Sequence, residues 1–160
     1  MHQGSTFFAR EFFSGFWYNK DMNCEFCNLK GLIIKEYKNW IVHLGDDQRY
    51  LGRCIIRLRR HSEDFFNINE EELKDFFEIT KKLRDVVKEI FGADMFNYAT
   101  LGNSVRHVHL HFIPRYSKEV NFLGINFKDE RWGQNYAPYN KFKISEEVEL
   151  EIIDKIKKKL

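Results

Sequence analysis

The sequence has little of what most specialised architectures require. Its 160 residues include two prolines and nine glycines, which excludes collagen-like, linker-like and low-complexity chains. The longest unbroken apolar runs are a few residues, as in Leu32-Ile33-Ile34, far from the roughly 20 that a membrane-spanning helix needs. Three cysteines, an odd and small number, exclude a dense disulfide framework. An excess of one charge is also missing. Lys+Arg number 26 against 24 Asp+Glu, a formal charge of +2, too even to argue for bulk nucleic-acid binding. Neither a membrane nor a nucleic acid is an expected partner. No basic segment leads into an apolar stretch and a small-residue cleavage site, so no signal peptide is read. Residues 1–5 read as an expression remnant, and a reducing, cytoplasmic location is the default expectation.

What is present suits one packed core: 43% apolar, 16% aromatic and 31% charged residues. One domain is the natural reading at this length. It divides into an aromatic N-terminal extension (1–23), a core (24–116), and a C-terminal segment and helix packed on the same domain (117–160). In residues 7–18, Phe8, Phe12 and Phe16 fall at i, i+4 and i+8, so a short helix is expected there. Ile33-Ile34 and Trp40-Ile41-Val42 flank Lys38-Asn39 as a hairpin, and 52–59 reads as a third strand. Asn69 with Glu72 forms a capping box for a long helix. Leu73, Phe76, Phe77, Leu83, Val87 and Ile90 give its apolar stripe, and Gly92 ends it. Residues 95–100 and 105–113 read as two further strands, the last stopped by Pro114. Residues 117–144 read as irregular, and a final helix starts near Ser145. The order gives an α+β fold with a mostly antiparallel five-stranded sheet, one long helix and a C-terminal helix.

The informative stretch is Val105-Arg106-His107-Val108-His109-Leu110-His111-Phe112-Ile113-Pro114-Arg115. With a side-chain period of two, His107, His109 and His111 share one face of a strand while Val108, Leu110 and Phe112 enter the core. Three imidazoles on one face each need a partner, which points to a metal cluster or to phosphate chemistry at a histidine nucleophile. Cys24 and Cys27, spaced C-x-x-C, read as a metal or redox pair, and Cys54 as core. Asn97, Asn103 and Ser104 are candidate phosphate donors. Arg115 reads either as a distal-phosphate ligand or as ordinary exposed surface.

His-x-His-x-His with hydrophobic x, running into Phe-Ile-Pro-Arg, resembles the histidine triad (HIT) family of nucleotide hydrolases and transferases. The resemblance runs from Cys24 to Tyr116. It includes the C-x-x-C, a strand from Gly52 ending in Arg60-His61, the long helix, and Asn97 to Ser104 ahead of the triad. That last stretch is similar to the diadenosine polyphosphate hydrolase-like branch. The third triad position is His111, not the glutamine of the related nucleotidyltransferases, which favours hydrolysis.

The resemblance implies that His109 attacks an α-phosphorus and forms a nucleotidyl-histidine that water then releases. His107 and His111 serve as flanking catalytic groups, and the chemical step requires no metal. Asp46, or Asp47 beside it, is the expected ribose ligand. Where the family commonly has a histidine after the strand-initial glycine, this chain has Arg53. Some members bind one structural zinc, and the matching set here is Cys24, Cys27, His61 and His107, a tetrahedral Cys2His2 combination.

Three functions compete. The leading one is a hydrolase of a nucleoside 5′-phosphoryl bond, with a transferase or phosphorylase of the same family as its near variant. A nucleotide- and zinc-binding regulatory module comes second. A DNA-end deadenylase is disfavoured by the near-neutral charge. A homodimer pairing long helices and sheet edges is expected, partly from the resemblance. The rest of the case is a surplus of aromatics in 7–18 and at Phe122, Phe127, Trp132, Tyr136 and Tyr139.

Overall fold

A computed structural model describes residues 8–13, 16–21, 23–136 and 142–160, with backbone alone through residue 20. The elements run β1 (Phe8–Phe13), β2 (Phe16–Asp21), α1 (Glu25–Asn28), β3 (Ile33–Glu36), β4 (Trp40–Leu44) and β5 (Cys54–Leu58). A 3-10 turn (Phe65–Asn67) and α2 (Glu70–Phe91) follow, then β6 (Met95–Ala99), β7 (His109–Arg115), β8 (Val120–Phe122), β9 (Ile125–Phe127) and α3 (Glu146–Lys159). The main sheet has the order β3-β4-β5-β7-β6, and every neighbouring pair is antiparallel. The fold is α+β, as expected.

Strand alternation divides the sheet into two working faces. Trp40, Val42, Leu44, Cys54, Ile56, Leu58, Leu110 and Phe112 point to one side and are buried. Phe76, Leu83 and Val87 of α2 and Ile152 and Ile156 of α3 close the core over them. Full burial of each such side chain is worth about 2 kcal/mol. The opposite face carries His43, Arg57, His109, His111 and Arg115. The packed helices therefore hold the strands while the other face is left for chemistry.

Local signals set the long helix. The Asn69 side chain accepts from the Glu72 amide, the Glu72 side chain accepts from the Asn69 amide, and Gly92 closes the helix in the left-handed region at φ 74°. Only glycine takes that conformation without strain. Among the described residues, no helix is long and apolar enough to cross a membrane.

Four expectations are corrected. Strands β1 and β2 pair antiparallel in place of the expected helix, with Phe12 opposite Trp17. Aromatic β-propensity outweighs the coincidental i, i+4 pattern. Leu73 and Phe77 lie 37% and 64% exposed, so the core stripe of α2 is carried instead by Phe76, Ile79, Leu83, Val86 and Val87. Strand β7 begins at His109, not at Val105, and runs through Pro114 to Arg115. Its pairing with β5 ends at Phe112, and beyond that β6 is its partner, a one-sided position where proline is tolerated. Residues 117–144 contain the small β8–β9 hairpin. Phe127 is buried in this chain's own core, and Phe122 packs against it. Residues 1–5, Tyr139 and the side chains of the aromatic extension lie outside what is described.

Candidate active site and metal centre

Strand β7 lies between β5 and β6, with His109 opposite Arg57 and His111 opposite Ile55 and Ala99. The His109 Nδ1–H donates to the His107 carbonyl at 2.6 Å. That bond fixes the tautomer, because a neutral imidazole has one donor and one acceptor. Nε2 of His109 is therefore the lone-pair nitrogen, 3.1 Å from Nε2 of His111, which donates to it. Burial holds the His109 ring below its ordinary pKa. Burial, followed by the charges of His109 and Arg53, lowers His111 to about 4 against an opposing pull from Asp46. Both rings are neutral at pH 7. Among the described residues, the Nδ1 of His111 is buried without a hydrogen-bond partner.

His107 precedes the strand, and both its ring nitrogens are committed elsewhere. Nε2–H donates to the Leu58 carbonyl at 2.7 Å. Nδ1 lies 3.4 Å from Cys24 Sγ and 3.6 Å from Cys27 Sγ, and His61 Nδ1 lies 3.6 Å from Cys27 Sγ. The four donor atoms all fall within 4.8 Å of one another. A tetrahedral zinc with Zn–S near 2.3 Å and Zn–N near 2.0–2.1 Å requires S···N edges of about 3.6 Å. The residues present therefore fit that ion. The Leu58 carbonyl holds the His107 ring in the tautomer that turns Nδ1 toward the cysteines, as outer partners of metal-bound histidines do. Burial lowers His107 to about 4, the state a metal ligand needs, and raises the Cys27 thiol to about 12 in the metal-free form.

A cleft of about 540 Å³ opens over His109 and His111, lined also by Phe26, Arg53, Asn103 and Ser104. Asn135 and Tyr136 complete its far wall. Asn103 and Ser104 are thus brought to the same cleft as His109 and His111. Asp46 sits exposed on the loop after β4, and Asp47 is buried, with Oδ1 accepting from the Arg49 and Phe142 amides. Asn97 lies outside the cleft lining, and its Oδ1 accepts from Arg115 Nη1 at 2.7 Å.

Arg115 is the clearest surprise, because it is not surface at all but fully buried. It donates to Asp129 at 2.6 and 3.2 Å, to Asn97, and to the carbonyls of Gln134 and Arg131. It thereby pins residues 129–136, the segment that supplies Asn135 and Tyr136, over the sheet. Phe26, between the two cysteines, was also not anticipated. Its ring stands edge-on to His109 at 4.7 Å and 89°. Its place inside the C-x-x-C was the available signal, whereas nothing in the sequence pairs Arg115 with Asp129.

Residues 30–118 match the HIT domain, and the chain belongs to that family, whose members are generally nucleotide-binding or hydrolase-type proteins. It is 29% identical over 103 residues to an uncharacterised HIT-like protein of Methanocaldococcus jannaschii, covering 58% of this chain and 79% of that one. Its fold is similar to a hypothetical histidine triad nucleotide-binding protein of Sulfolobus tokodaii, with a TM-score of 0.67 and 19% identity over 85% of this chain and 91% of that one. A zinc-bound histidine triad family protein of Mycobacterium smegmatis superposes with a TM-score of 0.58 and 19% identity, covering 86% and 95% of the two chains.

Proposed function

We propose that the chain hydrolyses a nucleoside 5′-phosphoryl bond, in the manner of the diadenosine polyphosphate hydrolase-like branch, through a covalent nucleotidyl-His109. The observation that carries the reading is the His109 tautomer. Its Nδ1–H is held by a backbone carbonyl, so Nε2 presents a neutral lone pair on the cleft beside a second neutral imidazole. Nε2 bonds to the α-phosphorus and the bond to the leaving oxygen breaks, its electron pair departing with the leaving group. Nδ1 becomes part of a cationic ring, which the His107 carbonyl stabilises. His111, released from His109 when that lone pair is used, donates Nε2–H to an oxygen of the phosphoryl or leaving group. Water then attacks phosphorus, the N–P bond breaks, and His109 regains its lone pair as the nucleoside monophosphate departs.

Asn103 and Ser104 bind phosphate oxygens, and exposed Asp46 takes the ribose hydroxyls. Asn97 supports the site through Arg115. Cys24, Cys27, His61 and His107 would hold a zinc ion, which would tie the N-terminal segment to the active strand. His107 then contributes through its carbonyl, and the chemical step uses no metal. A reducing cytoplasmic compartment keeps both thiols available.

The test is incubation with diadenosine tetraphosphate, an adenosine 5′-phosphoramidate and a sugar nucleotide, followed by product chromatography and intact mass after a substrate pulse. Release of nucleoside monophosphate and an adduct of one nucleotidyl group on the wild type, both lost in His109→Asn, is the expected outcome. Normal turnover by His109→Asn removes His109 as the nucleophile.

A further inference from the structure

The cleft wall beside His111 carries a fixed cation. Arg53 stands one residue before β5 and lines the cleft with His109 and His111. Its backbone is held firmly. The amide donates to the Tyr50 carbonyl at 2.8 Å, and its own carbonyl accepts from the Gly45 amide and from Gln48 Nε2, each at 2.9 Å. Gly45 leaves room for the stem, since a Cβ there would lie 3.2 Å from the Arg53 carbonyl oxygen and 3.4 Å from its Cγ.

The guanidinium itself is barely engaged. Its ion pair with Asp47 is long, at 3.5 Å from Nη1 to Oδ2. Its Nε is buried with no hydrogen-bond partner among the described residues. A guanidinium offers five donors in a planar fork that matches phosphate oxygens two at a time. The histidine that the family resemblance leads one to expect at this position has no such planar fork of donors. Asp46, the carboxylate that also acts on His111, is exposed and so screened by solvent.

We propose that Arg53 is a specificity-determining residue that holds the phosphate next to the scissile one, so that the preferred substrates are nucleoside polyphosphates, not nucleoside phosphoramidates. The inference rests on the hydrolase reading above and names the substrate class for that site. When His109 Nε2 bonds to the α-phosphorus, the bridging P–O bond breaks and its electron pair leaves on a phosphate chain. Arg53 binds that chain in the ground state and neutralises the charge it gains. An amine leaving group offers the guanidinium nothing to bind.

The experiment compares kcat/KM for diadenosine tetraphosphate and adenosine 5′-phosphoramidate in the wild type, Arg53→Met and Arg53→Lys. The polyphosphate-to-phosphoramidate ratio is expected to fall about tenfold or more in Arg53→Met and to be partly restored in Arg53→Lys. Inhibition of phosphoramidate hydrolysis by inorganic tripolyphosphate is a second readout, expected to weaken several-fold in Arg53→Met and less in Arg53→Lys. A ratio and an inhibition constant both unmoved overturn the role of Arg53 while leaving the hydrolase reading intact. Failure of the wild type to cleave any nucleotide, with no histidine adduct, removes the hydrolase reading and this inference with it.

Discussion

Removing the Asp129 carboxylate should destabilise the fold by leaving the buried Arg115 guanidinium without its counter-charge. Arg115 and Asp129 have no side-chain exposure and meet through hydrogen bonds of 2.6 and 3.2 Å. Deleting one partner of a buried pair typically costs about 3–5 kcal/mol, because the remaining charge loses its compensation without regaining water. Three neutral acceptors stay on the guanidinium, namely Asn97 Oδ1 and the carbonyls of Gln134 and Arg131, so Asp129→Ala should fall near the lower end, about 3 kcal/mol. For a chain of this size that lowers the melting temperature by roughly 6–12 °C. Replacing both partners with apolar residues, Arg115→Met with Asp129→Leu, should recover most of the loss. Function should follow the geometry. Residues 129–136 carry Asn135 and Tyr136 to the cleft, so Asp129→Ala should raise KM for nucleotide more than it lowers kcat. Urea unfolding at pH 7 with an unchanged slope, and steady-state kinetics well below the melting point, measure both effects. A loss under about 1 kcal/mol, or a double variant no more stable than the single one, would refute the buried-charge argument. A loss confined to kcat would refute the link to the cleft wall.

Protein purified without chelator should hold about one zinc per chain by elemental analysis, and Cys24→Ser with Cys27→Ser should lose the zinc and melt lower. Structural zinc binding in small sites reaches roughly 10 kcal/mol or more, so an unchanged melting curve would sink that role. His43 donates Nδ1–H to the Gly31 carbonyl at 3.1 Å and accepts from Arg57 Nε at 2.8 Å, and burial followed by the Arg57 charge lowers its pKa to about 4. The folded state thus prefers the neutral ring, and its stabilisation is complete above the ordinary value near 6.5 and lost as pH falls toward 4. The contribution is about 3 kcal/mol, and His43→Gln should flatten the stability-against-pH curve in that window, whereas an identical acid limb would show the ring to be unimportant. Edge strand β6 exposes Met95 and Tyr98 at 39% and 47%, and α2 exposes Phe77 at 64%. Sedimentation at micromolar concentration should therefore show a dimer weakened by Phe77→Glu, and a wild-type monomer would end that expectation.

The sequence made the sheet, the capped helix and the triad legible because each is written in a local code. Asn69, Glu72 and Gly92 mark α2 within a few residues of its ends, and the alternation from Val108 to Phe112 declares which side of β7 faces the core. The zinc-type cluster was legible only through resemblance, since Cys24 and His107 are 83 residues apart and no local pattern joins them. The exposure of Leu73 and Phe77 is not legible in the sequence for a related reason. Helical periodicity marks an apolar side, but the width of that side which the sheet covers depends on where β4 and β5 pass beneath it.

Arg115 shows where a period-two argument stops. His109, His111, Ile113 and Arg115 alternate along one strand and share one face, so the same pattern that puts two histidines on that face also puts an arginine beside them. The pattern gives direction but not surroundings. Whether an outward side chain meets water, substrate or protein depends on what the chain lays over that face later, and here residues 129–136 return to cover Arg115 while leaving His109 and His111 on the cleft. A buried guanidinium is tolerable only with its donors filled, so the coverage and the charge require each other. Asp129 is the residue that makes the arginine possible, and the arginine fixes the segment that finishes the cleft.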